Sequence, residues 1–165
     1  MAAVDRNRVS FDWSMYADSP GVPPLERMRR GPVAVIECIE EIPCDPCEPG
    51  CPQGAIAIGT PITRIPRLDA ELCNGCGRCI AVCPGQAIFV ADMSLADNVA
   101  TVSVPYEFLP LPEKGQTVTA LDRSGEPLGQ AEVVRIANPR AYDHTPVVTI
   151  KVPAEWALAV RHCRP

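Results

Sequence analysis

The sequence predicts an α+β protein with two folded units, of which the second is a small antiparallel β unit, barrel-like in outline. The first unit is expected from an internal repeat: a Cys-Pro pair, a short turn and an apolar run occupy 51–58 and recur 32 residues later at 83–90. The second unit is expected from four strand-like runs between 99 and 153. Nine cysteines in 165 residues point to either a disulfide scaffold or a metal protein.

An extended arm is predicted for residues 1–31. It carries Phe11, Trp13 and Tyr16 among several prolines, and it shows neither a helical nor a strand period. The arm is either a disordered tail or a segment that packs on this protein or on a partner, and its sequence leaves both alternatives open.

The repeated unit is predicted to span residues 32–92. The β-branched run VAVIE predicts a strand directly before Cys38, and ITRIPRLD (62–69) predicts one before Cys73. Each cysteine group would therefore be preceded by a strand and followed by a second strand. This arrangement predicts two similar halves, each built as strand, cysteine loop and strand.

The second cysteine group, CNGCGRCIAVCP, contains Cys73, Cys76, Cys79 and Cys83. Three thiolates at this spacing can bind one iron–sulfur cube, while the cysteine before the proline is placed to ligate a second cube. The alternative, a zinc site, is disfavoured because paired zinc ligands are normally separated by a longer loop.

The first cysteine group matches this pattern only in part. Cys44, Cys47 and Cys51 occupy its last three positions, but Glu41 stands where the first cysteine would be. A thiolate suits iron–sulfur chemistry better than a carboxylate, so Cys38 is predicted to be the displaced ligand. A three-iron cluster and a purely structural role for Cys38 remain as alternatives.

These two motifs resemble the bacterial-type ferredoxin family, whose members carry two 4Fe–4S clusters. The resemblance implies a ferredoxin-like fold for 32–92 and two clusters whose ligation crosses between the motifs. The expected ligands of one cluster are Cys51, Cys73, Cys76 and Cys79. Those of the other are Cys38, Cys44, Cys47 and Cys83.

A narrower resemblance is carried by the runs ECIEEIPCDPCEPGCPQGAI and PYEFLPLPEKG. They resemble small iron–sulfur subunits that accompany flavin-dependent amino-acid dehydrogenases of the proline, hydroxyproline and opine type. This resemblance implies an electron-transfer subunit of a hetero-oligomer, which carries electrons between a flavoprotein dehydrogenase and an acceptor. A free, diffusing ferredoxin and a structural or regulatory metal module are the alternatives.

The second folded unit is predicted to span residues 93–165. It begins with a polar loop, MSLADN, and Asp122–Gly125 predicts a turn. Its strands are expected at 99–108, 116–121, 131–136 and 147–152. The composition of 154–162 predicts a helix that caps the strands, and the isolated Cys163 is expected to have no metal role.

Composition excludes several classes of function. The formal charge of −5 disfavours nucleic-acid binding, and no apolar run approaches the length of a membrane span. The start of the chain lacks the apolar core of a secretory signal, so cysteines used for metal chemistry predict a cytoplasmic protein. His144 and His162 lack an accompanying nucleophile or nucleotide motif, so the chain is expected to have no catalytic site of its own.

Overall fold

The computed structural model describes residues 13–165, so Phe11 and the rest of residues 1–12 lie outside the description. The described part of the arm contains two short helices, α1 (Ser14–Ala17) and α2 (Leu25–Met28). Tyr16 and Met28 are buried at 4% and 1% exposure. This part of the arm therefore packs on its own chain.

Backbone hydrogen bonds attach the arm to the cysteine-rich unit. The Pro20 carbonyl accepts from the amide of Leu68 at 2.9 Å, and the Gly21 carbonyl accepts from Ile36 at 2.9 Å. A Cβ on Gly21 would lie 2.7 Å from both the Cβ and the carbonyl oxygen of Ile36, so only glycine allows this close approach.

The described chain is mostly antiparallel sheet with few, short helices. In chain order the elements after the arm are β1 (Val33–Ile36), α3 (Cys47–Gly50), β2 (Ile56–Ala57), β3 (Arg67–Leu68), α4 (Arg78–Val82), β4 (Ile88–Ala96), β5 (Val99–Pro105), β6 (Thr117–Asp122), β7 (Pro127–Ala137), β8 (Val147–Pro153) and β9 (Val160–Arg164). Short 3₁₀ helices occupy Arg140–Tyr142 and Ala154–Trp156.

Seven of these strands form one sheet in the order β1-β4-β5-β8-β7-β6-β9, and β2 pairs with β3 in a second, two-stranded sheet. The pairings are antiparallel throughout. As described, the large sheet is open, with β1 and β9 at its ends, so the predicted barrel-like arrangement is not confirmed. No helix within residues 13–165 is long and apolar enough to cross a bilayer.

The predicted boundary between residues 92 and 93 falls inside β4. Four residues of the expected loop MSLADN, from Met93 to Ala96, belong to this strand, and the chain turns only at Asp97–Asn98. A register irregularity follows Asp92, where the pairing with β5 shifts. The two predicted units thus share one sheet.

Strand β1 and the first four residues of β4 (88–91) are buried on both faces and lie between two hydrophobic cores. Their residues pair as Val35 with Phe89 and Ala34 with Val90. Because successive side chains on a strand point to opposite faces, Val35 and Phe89 join the large core of the β unit. Ala34 and Val90 join a smaller core that contains cysteines. The paired strands β1 and β4 therefore pack against the core of the β unit on one face and against the cysteine-rich loops on the other.

The helix predicted for 154–162 is wrong. After the 3₁₀ turn at Ala154–Trp156, the chain forms β9 and pairs with β6. Val160 and Cys163 are fully buried in the large core. Burial and pairing on an available strand edge outweigh the weak helix propensity of this segment.

The strand predicted for 62–69 is also much shorter than expected. Only Arg67–Leu68 pairs, with Ile56–Ala57 as its partner. Pro61 and Pro66 lie in or beside the predicted run and have no N–H to donate to a strand ladder. The other predicted strands of the β unit are present as β5 to β8.

A buried carboxylate ties the two units together. Glu37, which is 6% exposed at the end of β1, forms ion pairs with Arg123 and Arg161. Arg161 Nε donates to Glu37 Oε2 at 3.0 Å, and its guanidinium stacks 3.7 Å from the centre of the Phe89 ring. The residue before Cys38 is therefore held by β9 and by the turn after β6.

Candidate metal centres

Two short helices position the buried cysteines. Cys47 begins α3 and Cys79 lies in the first turn of α4, and both side chains are buried. Each helix ends where the next cysteine, Cys51 or Cys83, adopts an extended backbone. In a continuous helix, residues four apart share a face. Because the backbone leaves the helix at Cys51 and Cys83, each pair of cysteines is free to diverge.

Cysteines from both motifs surround each of two cavities. The second-motif cavity is lined by Ala34, Ile56, Val90 and four cysteines. Those cysteines are Cys51, Cys73, Cys76 and Cys79. The first-motif cavity is lined by Ile36, Ile88, several prolines and the other four cysteines. They are Cys38, Cys44, Cys47 and Cys83.

Backbone amides point at three of these sulfur atoms. The amide of Ala55 donates to Cys51 Sγ at 3.3 Å, and the amide of Ala87 donates to Cys83 Sγ at 3.4 Å. Ala34 on β1 donates to Cys73 Sγ at 3.4 Å. Hydrogen bonds to sulfur ligands are one means by which a protein adjusts the potential of an iron–sulfur cluster.

The loop of the second motif depends on a glycine and on a distant arginine. Gly75 has a φ of +68°, and a Cβ there would lie 2.5 Å from the Cβ of Pro32. Arg27, on α2, donates to the carbonyls of Ala70 at 2.7 Å and Cys73 at 2.6 Å. The arm therefore fixes the start of this loop, a role that sequence reasoning did not find.

Tyr142 is a second residue that the sequence did not indicate for the site. It comes from the 3₁₀ helix between β7 and β8, and its hydroxyl donates to the Cys76 carbonyl at 3.1 Å. Cys76 is the exposed member of the eight cavity-lining cysteines. Tyr142 thus packs beside the loop that carries the exposed Cys76.

Crowding and burial disfavour uncompensated negative charge at these thiols. Burial, and then the charge of Cys83, raises the pKa of Cys47 to about 12. Burial, and then Cys73, raises the pKa of Cys79 above its usual range. Several thiolates so close together need positive charge, which a bound metal group supplies.

The donor set fits an iron–sulfur cube. The eight cysteines are free of disulfides, and soft thiolates are the ligands that such clusters take. Within residues 13–165, no three Cys, His, Asp or Glu side chains are grouped so that they could hold a single metal ion. The thiols instead surround cavities, and apolar side chains complete the walls.

Acidic side chains border the first motif. Glu40 and Glu41 are exposed. The Glu48 carboxylate accepts from the amides of Ile58 at 2.9 Å and Gly59 at 3.0 Å, and these hydrogen bonds lower its pKa. Glu48 thus ties α3 to the chain directly after β2.

The remaining candidate side chains do not line either cavity. Cys163 is fully buried in the large core, and burial raises its pKa to about 11. His162 packs between the rings of Tyr106 and Phe108, at 5.4 and 4.9 Å between centroids. His144 is exposed.

Comparison with known proteins agrees with this donor set. The 4Fe-4S binding domain family matches residues 66–89, which contain the second cysteine motif. Ferredoxin-1 of Chlorobaculum tepidum is 43% identical over 51 residues, covering 27% of this chain and 77% of that protein. No solved structure matches significantly.

Two further relatives are larger or more specialised proteins. A subunit of the ion-translocating oxidoreductase complex of Methanosarcina acetivorans is 45% identical over 47 residues, covering 28% of this chain and 17% of that protein. The ferredoxin-type protein NapF of Escherichia coli K12 is 39% identical over 51 residues, covering 30% and 31%. The chain thus spans a third or less of these two relatives. Through the segment that it shares with the short ferredoxin, the chain belongs to the 4Fe–4S ferredoxin family.

Proposed function

We propose that the protein transfers electrons through two 4Fe–4S clusters, one in each cysteine-lined cavity. The observation that carries this proposal is the pair of separate cavities, each with four cysteines, at equivalent places of an internal repeat. A 4Fe–4S cluster takes up and releases one electron at a time. The chain's residues would hold each cluster, aim amides at its sulfur ligands and exclude water with apolar walls.

The proposed ligation crosses between the motifs. Cys51 lines the cavity of the second motif, and Cys83 lines the cavity of the first. The proposed fourth ligand of the first-motif cluster is Cys38. Its side chain lines that cavity, whereas Glu41 is exposed and does not line it. The insertion between Cys38 and Cys44 therefore carries its acids outward.

We further propose that the second-motif cluster has the higher reduction potential. Negative charge near a cluster disfavours the added electron. Glu40, Glu41 and Asp45 flank the first motif, whereas Arg78 lies in the second. Redox titration followed by EPR, in variants that each lack one cluster, measures the order. The reverse order would contradict the charge argument.

The proposed partner is a flavoprotein dehydrogenase, with this chain as the electron-transfer subunit of a hetero-oligomer. One support is the resemblance of residues 37–56 and 105–115 to iron–sulfur subunits of such enzymes. The other is the length of folded chain beyond the ferredoxin-like segment. The arm and β5 to β9 add a large folded surface beyond the cysteine-rich loops. One relative is itself named as a subunit of an oxidoreductase complex.

Metal and sulfide analysis tests the clusters. Anaerobically purified protein should contain about eight iron and eight sulfide per chain and should bleach reversibly with dithionite. About four of each would reduce the proposal to one cluster. Stoichiometric zinc without sulfide would instead favour a structural or regulatory metal module.

Native purification tests the partner. The protein should elute in size-exclusion chromatography with a flavin-containing subunit, and the complex should reduce the clusters when a secondary-amine substrate is added. Recovery of the protein alone as a cluster-loaded monomer would favour a free ferredoxin.

A further inference from the structure

The surface around Cys76 differs in charge from the surface around the first motif. Arg78 on α4, Arg135 on β7 and Arg140 beside Tyr142 are all exposed. Helix α4 packs against the 3₁₀ helix that contains Arg140 and Tyr142. Arg78 and Arg135 both lie close enough to the Tyr142 phenol to interact with it electrostatically.

This cluster of arginines is unexpected on a chain with a formal charge of −5. Asp143, next to Tyr142, is an exposed acid in the same segment. The three arginines therefore outnumber this one carboxylate. The first motif, in contrast, is bordered by Glu40, Glu41, Asp45 and Glu48. The exposed charges around Tyr142 are thus mainly cationic, whereas those within the first motif itself are acidic.

We propose that the arginine surface, formed by Arg78, Arg135 and Arg140 around Tyr142, docks a redox protein with an acidic face. This inference rests on the proposed electron-transfer function. Cys76, the exposed cavity-lining cysteine, lies at this surface, so a partner seated here approaches the second-motif cluster. Complementary charge raises the rate of encounter and orients the partner. The acidic border of the first motif would repel the same partner.

Charge reversal with a matched control tests the surface. The test variant is Arg135→Glu/Arg140→Glu, which leaves all eight cysteines, Arg78 and Tyr142 in place. The control is Arg64→Glu/Arg164→Glu, which changes the net charge by the same amount. Arg64 lies in the turn before β3, and Arg164 lies on β9; both are exposed. The full-length, cluster-loaded protein is used throughout.

The measurement is the rate of electron transfer from the dithionite-reduced protein to an acidic flavodoxin, by stopped-flow, at low salt. We expect the test variant to react about tenfold or more slowly than the control variant. The gap should shrink as salt rises to about 0.3 M, since exposed charges are then screened. An uncharged quinone should oxidise both variants at the wild-type rate.

Equal slowing in both variants would show that only net charge matters and would overturn the docking surface. Unchanged rates in both would overturn it as well. Failure of the proposed function is recognised separately, because the wild-type protein would then lack iron and sulfide, or would not be oxidised by the quinone.

Discussion

Cys51 and Cys83 have nearly the same backbone conformation, with φ and ψ of −86° and 108° in Cys51 and −80° and 109° in Cys83. Each residue ends a short helix, and each Sγ accepts a hydrogen bond from the amide four residues later. The internal repeat is thus preserved in backbone geometry as well as in sequence. This conformation turns each thiol away from the helix before it and toward the cavity of the other motif.

The equivalence does not extend to the start of the two motifs. Cys73 begins a loop that needs Gly75 and Arg27, whereas Cys38 directly follows β1 and Glu37. The first motif thus takes its thiol from the end of a strand of the main sheet. Glu41 stands where the regular spacing would place the first cysteine, and its side chain is exposed.

Replacing Cys38 with Ser is expected to convert or destabilise the first-motif cluster and to leave the second largely intact. The hydroxyl is a poorer ligand for iron than the thiolate, and Cys38 lines only the first-motif cavity. Iron content and EPR spectra of the anaerobic variant measure the effect. Cys163→Ser is the control, because Cys163 lies in the large core. Unchanged iron and unchanged spectra of both clusters in Cys38→Ser would exclude Cys38 as a ligand.

Replacing Gly75 with Ala should impair the second-motif cluster. The new Cβ would lie 2.5 Å from Pro32, and φ at this position is +68°, so the loop or β1 must shift. We expect loss of roughly half the iron and faster bleaching in air. Gly85→Ala is the matched control, since a Cβ there meets nothing within 4 Å. Full iron content in Gly75→Ala would show that the loop tolerates the shift.

The sequence predicted the elements that local pattern determines. β-branched runs indicated β1 and β5 to β8, and the Cys-Pro repeat indicated the pairing of two similar motifs. It did not predict contacts that only the tertiary fold creates. Arg27 is 46 residues from Cys73, and Tyr142 is 66 residues from Cys76. No local spacing links such residues, so neither could be assigned to the site before the fold was known.

The same reason explains the incorrect C-terminal helix. The alanine-rich composition of 154–162 satisfies local helix propensity, but β6 offers an edge with which Val160 and Cys163 can pair and become buried. Glu37 likewise looked like an ordinary residue at a strand end. Its partners Arg123 and Arg161 reach it only after the sheet has brought β6 and β9 close to β1.

Replacing Tyr142 with Phe should change the second-motif cluster without unfolding the protein. The variant keeps the ring that packs beside Cys76 but removes the hydrogen bond to the Cys76 carbonyl. Burial, and then Cys76, raises the pKa of Tyr142, so the wild-type hydroxyl keeps the proton that it donates. We expect a shifted EPR-derived potential for the second-motif cluster alone.

Tyr142→Ala removes the packing of the ring as well as the hydrogen bond, so comparison with Tyr142→Phe separates the two contributions. It should additionally speed the loss of this cluster in air, because the exposed Cys76 side becomes more open to solvent. Equal effects of both variants on both clusters would indicate a general structural role for Tyr142.

Replacing Glu37 with Gln should destabilise the fold strongly. The Glu37 side chain is 2% exposed and neutralises Arg123 and Arg161, so the variant leaves two partly buried arginines without a carboxylate. Breaking a buried ion pair costs about 3–5 kcal/mol, which corresponds to roughly 6–20 °C in thermal midpoint for a chain of this length. Anaerobic thermal unfolding at one scan rate measures it.

Glu132→Gln is the matched control for Glu37→Gln. The ion pair of Glu132 with Lys151 is about half exposed on both sides, and such surface pairs contribute less than about 1 kcal/mol. Similar midpoints for the two variants would show that the Glu37 network does not stabilise the fold.

Acidification from about pH 7.5 to about pH 5.5 should destabilise the protein through His162. Burial among aromatic rings lowers the pKa of His162 in the folded state, so the unfolded chain binds a proton more readily than the native protein. The contribution of His162 to stability is therefore fully present above the unfolded pKa of about 6.5, falls as the pH drops through it, and is fully lost only below the folded pKa. Glu48 and Glu71 have lowered pKa values and contribute a separate loss at more acidic pH.

His162→Gln should show a smaller fall in thermal midpoint between about pH 7.5 and about pH 5.5 than the wild type, whereas His144→Gln, at an exposed position, should follow the wild type. Because the acid sensitivity of the clusters is common to all three proteins, the difference between them isolates the imidazole; identical pH profiles for wild type and His162→Gln would remove His162 as the cause.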